Sequence, residues 1–547
     1  MNRPHGIDRL PFHRIPHQPG IFLKYLAALP GTLAQYGRPP TRAALMQAAD
    51  EAQRLSRPRN EMAAILSRQN DGFGSSPEVR QSIEFLGAPG SVAIVTGQQA
   101  GLFAGPALTM YKALTALRLS HELREAGFKA APVFWIASDD HDLAEVATLD
   151  FPGADGVHVL DVRDRLFGRE VLPPRPVGTV RLPESILALV DEYAAGFGQT
   201  GWGETLRSRL AAACSPGSTI SEAFGRLMAE IFRGQGLVLF DPRDPEAKRL
   251  AAPVFRTALA EAPALRALLT ARSRELLDAG LQPQVVVLPH ATLAFLEVSG
   301  ERRLLLGGGE EFQLKETGRR FRAAELLDLA GDAPDRFSPN VLLRPVVQDH
   351  LFPTAAYVGG PAEISYFAQV EPLYRFFGTP MPVLWPRSSF TVVDRRLYDR
   401  MIRYGVDLED CFRGERYLMR RMLRGRPDSA EAQLEALCRE FGLKMDELRP
   451  VLASVDPTLG AAADTVRRKL LHRISAMQSA FAGSEIRGNG DLRREAAAMQ
   501  NDCCPAGRLQ ERVIGVHSLL ARAGPSLPDV LYARIDLRDF SHQVVCV

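Results

Sequence analysis

The sequence predicts an α/β protein: a Rossmann-like parallel-sheet core with inserted connecting segments, followed by an α-helical coiled-coil domain. Three observations carry this. Val92 to Lys112 reads as strand, glycine loop and helix; Val133 to Ala137 is a second apolar run ending in polar residues; and apolar residues from Leu459 to Phe481 recur at spacings of three and four.

At 547 residues the chain is long enough for two to four domains and a large core. A net charge of +2 with 24% charged residues gives no global field favouring nucleic acid or an anionic membrane. No apolar run approaches the ~18 residues that span a bilayer, and MNRPHGIDRLPFHRIPHQPG carries no apolar leader core, so a cytoplasmic protein is the expectation. Cys214, Cys411, Cys438, Cys503, Cys504 and Cys546 include no C-x-x-C pair and no Cys/His ligand spacing. They read as packing residues, and the metal content stays unknown.

Residues 20 to 70 show helical spacing, as in Phe22, Leu26 and Leu29. The stretch VAIVTGQQAGLFAGPALTMYK then begins as a buried strand, loops through Gly97, Gly101 and Gly105, and enters a helix at Pro106. A helix N-terminus behind glycines suits a phosphate or a carboxylate, because free amides and the helix dipole face the ligand. The loop lacks both the G-x-x-x-x-G-K-[ST] and the G-x-G-x-x-G patterns. Its glycines therefore serve either binding or close packing.

The run Pro132 to Ala137 predicts the parallel partner strand of a right-handed βαβ unit. At its end come Ser138, Asp139, Asp140, His141 and Asp142, with Glu145 and Asp150 beyond. Ligands of open parallel sheets sit at the carboxyl ends of the strands, so this acidic group shares a rim with the glycine loop. Such residues serve as a metal group, as an acid/base pair, or as ligands for a ribose or amine; the alternative is a solvated loop in which Asp139 caps a helix.

From about 150 to 290 lie a Pro-rich stretch (Leu172 to Pro176), amphipathic helices and the strand candidate Gly236 to Asp241. Val285 to Leu288 and Arg303 to Leu306 are further strand candidates, and 150–290 and 295–340 read as insertions into one core spanning 1–394. Between Ser338 and Ser389, Tyr357-Val358 leads into Gly359-Gly360-Pro361 and a helix carrying Glu363, which repeats the logic of the first loop. Arg344 and Arg387 are either clamps for a carboxylate or phosphate or partners of an interior carboxylate. Residues 395–504 form a helical arm whose seam, Leu459, Ala463, Val466, Leu470, Ile474, Met477 and Phe481, invites pairing with a second copy; 505–547 returns to the core.

Taken together, TGQQAGLFAGP (Thr96 to Pro106), PVFWIASDDHD (Pro132 to Asp142), LRPVVQD (Leu343 to Asp349), AYVGGPAEISY (Ala356 to Tyr366) and GRLQERV (Gly507 to Val513) closely resemble the cysteine ligase family of bacillithiol biosynthesis, in the same order along the chain. Where that family has Gly-Glu before Asp-His-Asp, this chain has Ser138-Asp139. The resemblance implies a homodimer through the coiled coil and addition of L-cysteine to the amine of glucosaminyl malate. Similarity to the cysteine ligase step of mycothiol synthesis and to class I aminoacyl-tRNA synthetase cores implies ATP-dependent activation, with ATP or ADP as the nucleotide and Mg compatible with that chemistry.

On these motifs the catalytic expectation falls on Asp140, His141 and Asp142, which would bind the amine or ribose, with His141 as a candidate base for the attacking amine. Gln98, Gln99, Gly101, Gly105, Thr109, Lys112, Arg344, Tyr357, Gly359, Gly360, Glu363 and Arg387 would surround substrate, and Gln510 and Arg512 the nucleotide. Lys112, two turns into its helix, is expected to orient a group rather than touch phosphate. The competing readings are a non-catalytic nucleotide-binding dimeric scaffold and an ATP-dependent ligase for another amino acid and amine.

Overall fold

The computed structural model describes residues 9–28, 32, 34–153, 156–168, 173–197, 201–424, 430–488 and 490–547. Leu172 and the side chain of Phe481 lie outside the described residues.

The core is a five-stranded parallel sheet of β1 (Ser91–Gln98), β2 (Lys129–Ile136), β3 (Val238–Phe240), β4 (Thr354–Gly359) and β5 (Val383–Pro386) in the order β5-β4-β1-β2-β3. These strands are near-continuous apolar runs because helices cover both faces; every residue of β4 and of β5 is buried. From β1 the chain builds outward through β2 to β3, then crosses back to place β4 and β5 on the other side. The direction of winding therefore reverses between β1 and β4, the switch point where open α/β sheets form their ligand crevice.

After β1 a single 3₁₀ turn, Leu102–Ala104, precedes α1 (Leu108–Glu125). The helix thus begins two residues later than Pro106 predicts. Pro106 bridges to Gly515, and the Ala107 amide donates to the Ile514 carbonyl at 2.8 Å, so the first of the amides expected to face a ligand is taken by the C-terminal segment. Helix α2 (Arg344–Leu351) precedes β4, and α3 (Pro361–Phe376) follows it with Pro361 in the first turn and Gly360 as N-cap.

The insertions contribute an antiparallel hairpin (Thr148–Gly153 with Gly156–Asp161), a group of helices, and a separate antiparallel sheet running from Ala291–Val298 to Phe337–Pro339. Arg303 to Leu306 belongs to that second sheet. Val285 to Leu288 is not a strand: Val286 is 82% exposed, and the segment is held by Gln369, whose side chain bonds both polar groups of the Val285 backbone. An apolar run alone does not specify a strand where no neighbouring strand offers a ladder.

The long helices α4 (Ala430–Val455) and α5 (Pro457–Gly488) form a hairpin, and the Arg449–Asp464 and Arg467–Asp446 pairs mark their antiparallel register. Ala463 is buried in it, whereas Leu459, Val466, Leu470 and Met477 stay 41–52% exposed. The chain ends in a strand, His542–Cys546, parallel to Phe390–Val393 and antiparallel to Arg9–Leu10.

Candidate functional site

A cleft of about 1010 Å³ opens at the switch point, lined by the loops after β1, β2 and β4 and by Ala506 to Gly515 of the C-terminal segment. Gln98, Gln99, Gly101, Gly105, Lys112, Asp140, His141, Arg344, Tyr357, Gly360, Glu363, Arg387 and Arg512 all line it. Asp142, Thr109, Gly359 and Gln510 do not.

The floor is built where the two glycine-led helix starts meet. Glu363 accepts the Gly360 amide at 2.9 Å as part of the α3 capping box, and the same carboxylate pairs with the buried Lys112 ammonium of α1. Lys112 also donates to the Gly97 carbonyl (2.7 Å) and to Gln98 (2.9 Å). Burial would raise the Glu363 pKa, but the Lys112 ammonium holds it below the ordinary carboxylate value. Tyr357 donates to Glu363 at 2.5 Å, and Arg344 reaches Tyr366 (2.7 Å), Gln348 (2.8 Å) and Tyr357 (3.3 Å). Lys112 is therefore a structural cation that joins the two crossovers.

The glycines are constrained by this packing. A Cβ on Gly97 would lie 2.6 Å from the Trp135 carbonyl, and one on Gly101 would lie 2.8 Å from the Gly105 Cα. Phe103, Ala104 and Gly105 have φ of 53°, 68° and 66° in succession, a strained run held by the buried His517, whose Nδ1–H donates to the Phe103 carbonyl at 2.8 Å. Thr109 sits fully buried behind Gly105.

The acidic rim is more differentiated than its sequence suggests. Ser138 bonds Asp241, and Asp139 pairs with buried Lys248 at 2.6 Å instead of capping a helix. Asp142 caps the short helix Leu143–Val146 by accepting the Glu145 amide. Asp140 accepts from Gln99 at 2.9 Å and from the His141 amide at 2.7 Å. Glu145 lines the cleft, and burial raises its pKa. The Nδ1 of His141 lies 2.9 Å from an Nη of Arg302, a residue of the inserted sheet. A guanidinium only donates, so Nδ1 is the acceptor in that bond.

Two further expectations change at the C-terminal segment. Arg387 spends both Nη groups on Glu511, which is fully buried, so it is committed to an interior carboxylate rather than free to clamp a ligand. Gln510, expected at the nucleotide, is wholly buried off the cleft lining, with its amide held by Val392 and Asp502. Arg508 and Arg512 face the cleft instead. Asp150, also on the cleft wall, accepts from the Gly515 amide (2.9 Å) and Tyr193 (3.3 Å), and burial lifts its pKa to about 6. Arg302 was not legible as a site residue, because it stands between Glu301 and Arg303 in a charged stretch with no local pattern to single it out.

Residues 9–388 match the family model described as the N-terminal Rossmann-like domain of bacillithiol biosynthesis BshC, and residues 390–547 match its C-terminal coiled-coil domain. A protein of Solibacter usitatus is 37% identical over 466 residues, covering 84% of this chain and 86% of its own. Relatives from Salinibacter ruber (33% over 545 residues; 97% and 96% covered) and Koribacter versatilis (34% over 526 residues; 96% and 97% covered) are similar along nearly their whole length. All three carry the name "Putative cysteine ligase BshC". A Campylobacter jejuni structure titled "putative arginyl T-RNA synthetase" aligns at 13% identity over 83% of this chain and 98% of its own, with a TM-score of 0.22, too low to show a shared fold.

Proposed function

The chain belongs to the BshC family of bacillithiol biosynthesis and is a ligase, and from that premise we propose that it joins the carboxyl group of L-cysteine to the amine of glucosaminyl malate, with ATP activating the carboxylate. One observation carries this reading: a single cleft at the sheet's switch point holds carboxylates suited to an amine and guanidinium groups suited to carboxylates or phosphates. Arg344, Arg508 and Arg512 take the malyl carboxylates and the phosphate chain; Asp140 and Glu145 hold the amine. Hydroxide is a poor leaving group, so the carboxylate must first become an acyl phosphate or adenylate. The amine nitrogen then forms the C–N bond, the carbonyl pair moves to oxygen and returns as the phosphate or nucleotide leaves, and the amine proton passes to a carboxylate such as Glu145.

Among the described residues no cluster of three His, Cys, Asp or Glu is arranged to hold a metal, so magnesium would enter with the phosphates. The exposed α4–α5 seam supports a homodimer. No described helix is long and apolar enough to cross a membrane, which is compatible with a cytoplasmic setting. Purified protein incubated with glucosaminyl malate, cysteine and ATP, with the products followed by mass spectrometry, is expected to yield the cysteinyl amide and a spent nucleotide. Product without nucleotide consumption would remove the activation step, and amide formation with another amino acid in preference to cysteine would remove the substrate assignment.

A further inference from the structure

His141 is the only histidine lining the cleft among the described residues, and its environment restricts what it can do. Arg302 reaches it from the inserted antiparallel sheet, and every part of the guanidinium is constrained. Its Nε donates to Ser338 at 2.8 Å, one Nη donates to the Pro339 carbonyl at 2.9 Å, and its Cζ lies 3.6 Å from the Phe295 ring centroid. The remaining Nη points at His141 Nδ1, 2.9 Å away. Arg302 is only 7% exposed, so this geometry is built into the fold.

An arginine side chain has no lone pair to offer, so the Nδ1 lone pair must receive the hydrogen bond. The proton of a neutral imidazole then sits on Nε2, the one polar ring atom left for the cleft. The surroundings of the ring pull both ways: burial and Arg302 oppose protonation, whereas Asp140 and Asp142 on its own loop and Glu316 in a turn of the inserted sheet favour it. Burial and Arg302 prevail, and the pKa falls below the ordinary histidine value.

We propose that Arg302 is a positioning residue that fixes His141 as its neutral Nε2–H tautomer, so that His141 serves the cleft as a hydrogen-bond donor to an oxygen gaining negative charge and not as the base. This rests on the ligase reading for the identity of the oxygen, an acyl or phosphoryl oxygen of the activated cysteine, but the tautomer itself does not depend on that reading. His141 neither gains nor loses a proton in the step; it stabilises the charge that appears when the amine attacks and withdraws no proton from the nucleophile.

Two measurements test it. In the full-length protein with ¹⁵N-labelled histidine, the His141 signals, assigned by their loss in His141→Gln, are expected to show an unprotonated Nδ1 and a protonated Nε2 at pH 7. A protonated Nδ1 overturns the proposal whether or not the enzyme turns over. Arg302→Met is expected to abolish the preference and move the His141 pKa up toward 6.5. Should that variant fail to fold, the wild-type spectrum decides alone.

The second measurement compares kcat of variants in the ligation assay. The Gln amide nitrogen falls near the position of a histidine Nε2, so His141→Gln is expected to retain activity within about tenfold, while His141→Ala loses about 100-fold or more. Equal losses in the two variants overturn the donor role. Absence of turnover in the wild-type protein sinks the ligase reading and leaves the spectrum to judge the tautomer.

Discussion

Lys112 and Glu363 come from helices far apart in sequence, and their pairing decides how the cleft is shaped. The Lys112 side chain is 4% exposed and donates to three oxygens, so removing it strands a carboxylate among groups arranged for its charge. Lys112→Met is expected to cost roughly 3 kcal/mol in chemical denaturation, with part of the loss recovered when Glu363→Gln is added. An additive double variant would show that the two side chains do not interact. Arg344 differs, because it is anchored by Tyr366 and Gln348 yet borders the cleft. Under the ligase reading, Arg344→Leu should raise KM for glucosaminyl malate at least about tenfold, the worth of one charge-assisted bond at ~1.4 kcal/mol. An unchanged KM would place the malyl group elsewhere.

At the scale of elements, the loop between β1 and α1 is where chain conformation and chemistry meet. Gly105 adopts φ 66° and ψ −162°, a region that residues with a Cβ avoid, although there is room for one. Gly101 is the reverse: its φ is ordinary at −65°, but a Cβ would meet the Gly105 backbone. Gly105→Ala should therefore cost about 1–3 kcal/mol through conformational strain, while Gly101→Ala should displace the loop and impair substrate binding more than stability. Equal melting temperatures for wild type and Gly105→Ala would argue against this backbone. The α4–α5 hairpin poses a different question, since Leu443 and Val451 are 66% and 60% exposed on α4. Sedimentation is expected to give a dimer for the wild type and a monomer for Leu443→Glu combined with Val451→Glu. A wild-type monomer at micromolar concentration would refute pairing through the arm.

For the molecule as a whole, the C-terminal segment ties the parts together. Gly515 meets Pro106 and Asp150, Glu511 holds Arg387, and His517 secures the loop at Phe103. Burial lowers the His517 pKa to about 4, so between that value and 6.5 the unfolded chain binds more protons than the folded one. Stability is then present above pH 6.5 and is lost as the pH falls. By pH 5 the loss from this residue should be about 2 kcal/mol. It is read as the extra acid sensitivity of wild type over His517→Gln in denaturation at pH 7 and pH 5, and identical pH dependence would contradict it.

What the sequence determined by itself was local and periodic: the β1–loop–α1 unit, the partner strand β2, the second Gly-Gly-Pro helix start and the long arm helices, because strand runs, glycines, prolines and helical spacing act over a few residues. It also brought Asp140, His141 and Arg344 to attention through their motifs. Only the tertiary structure decided their partners. That Arg387 faces Glu511, that Gln510 is consumed by Val392, that Asp139 faces Lys248 and that Arg302 takes the Nδ1 of His141 are contacts across 100 residues or more. No local pattern encodes them, because the free energy of a charged or polar side chain depends on which distant group shares its burial.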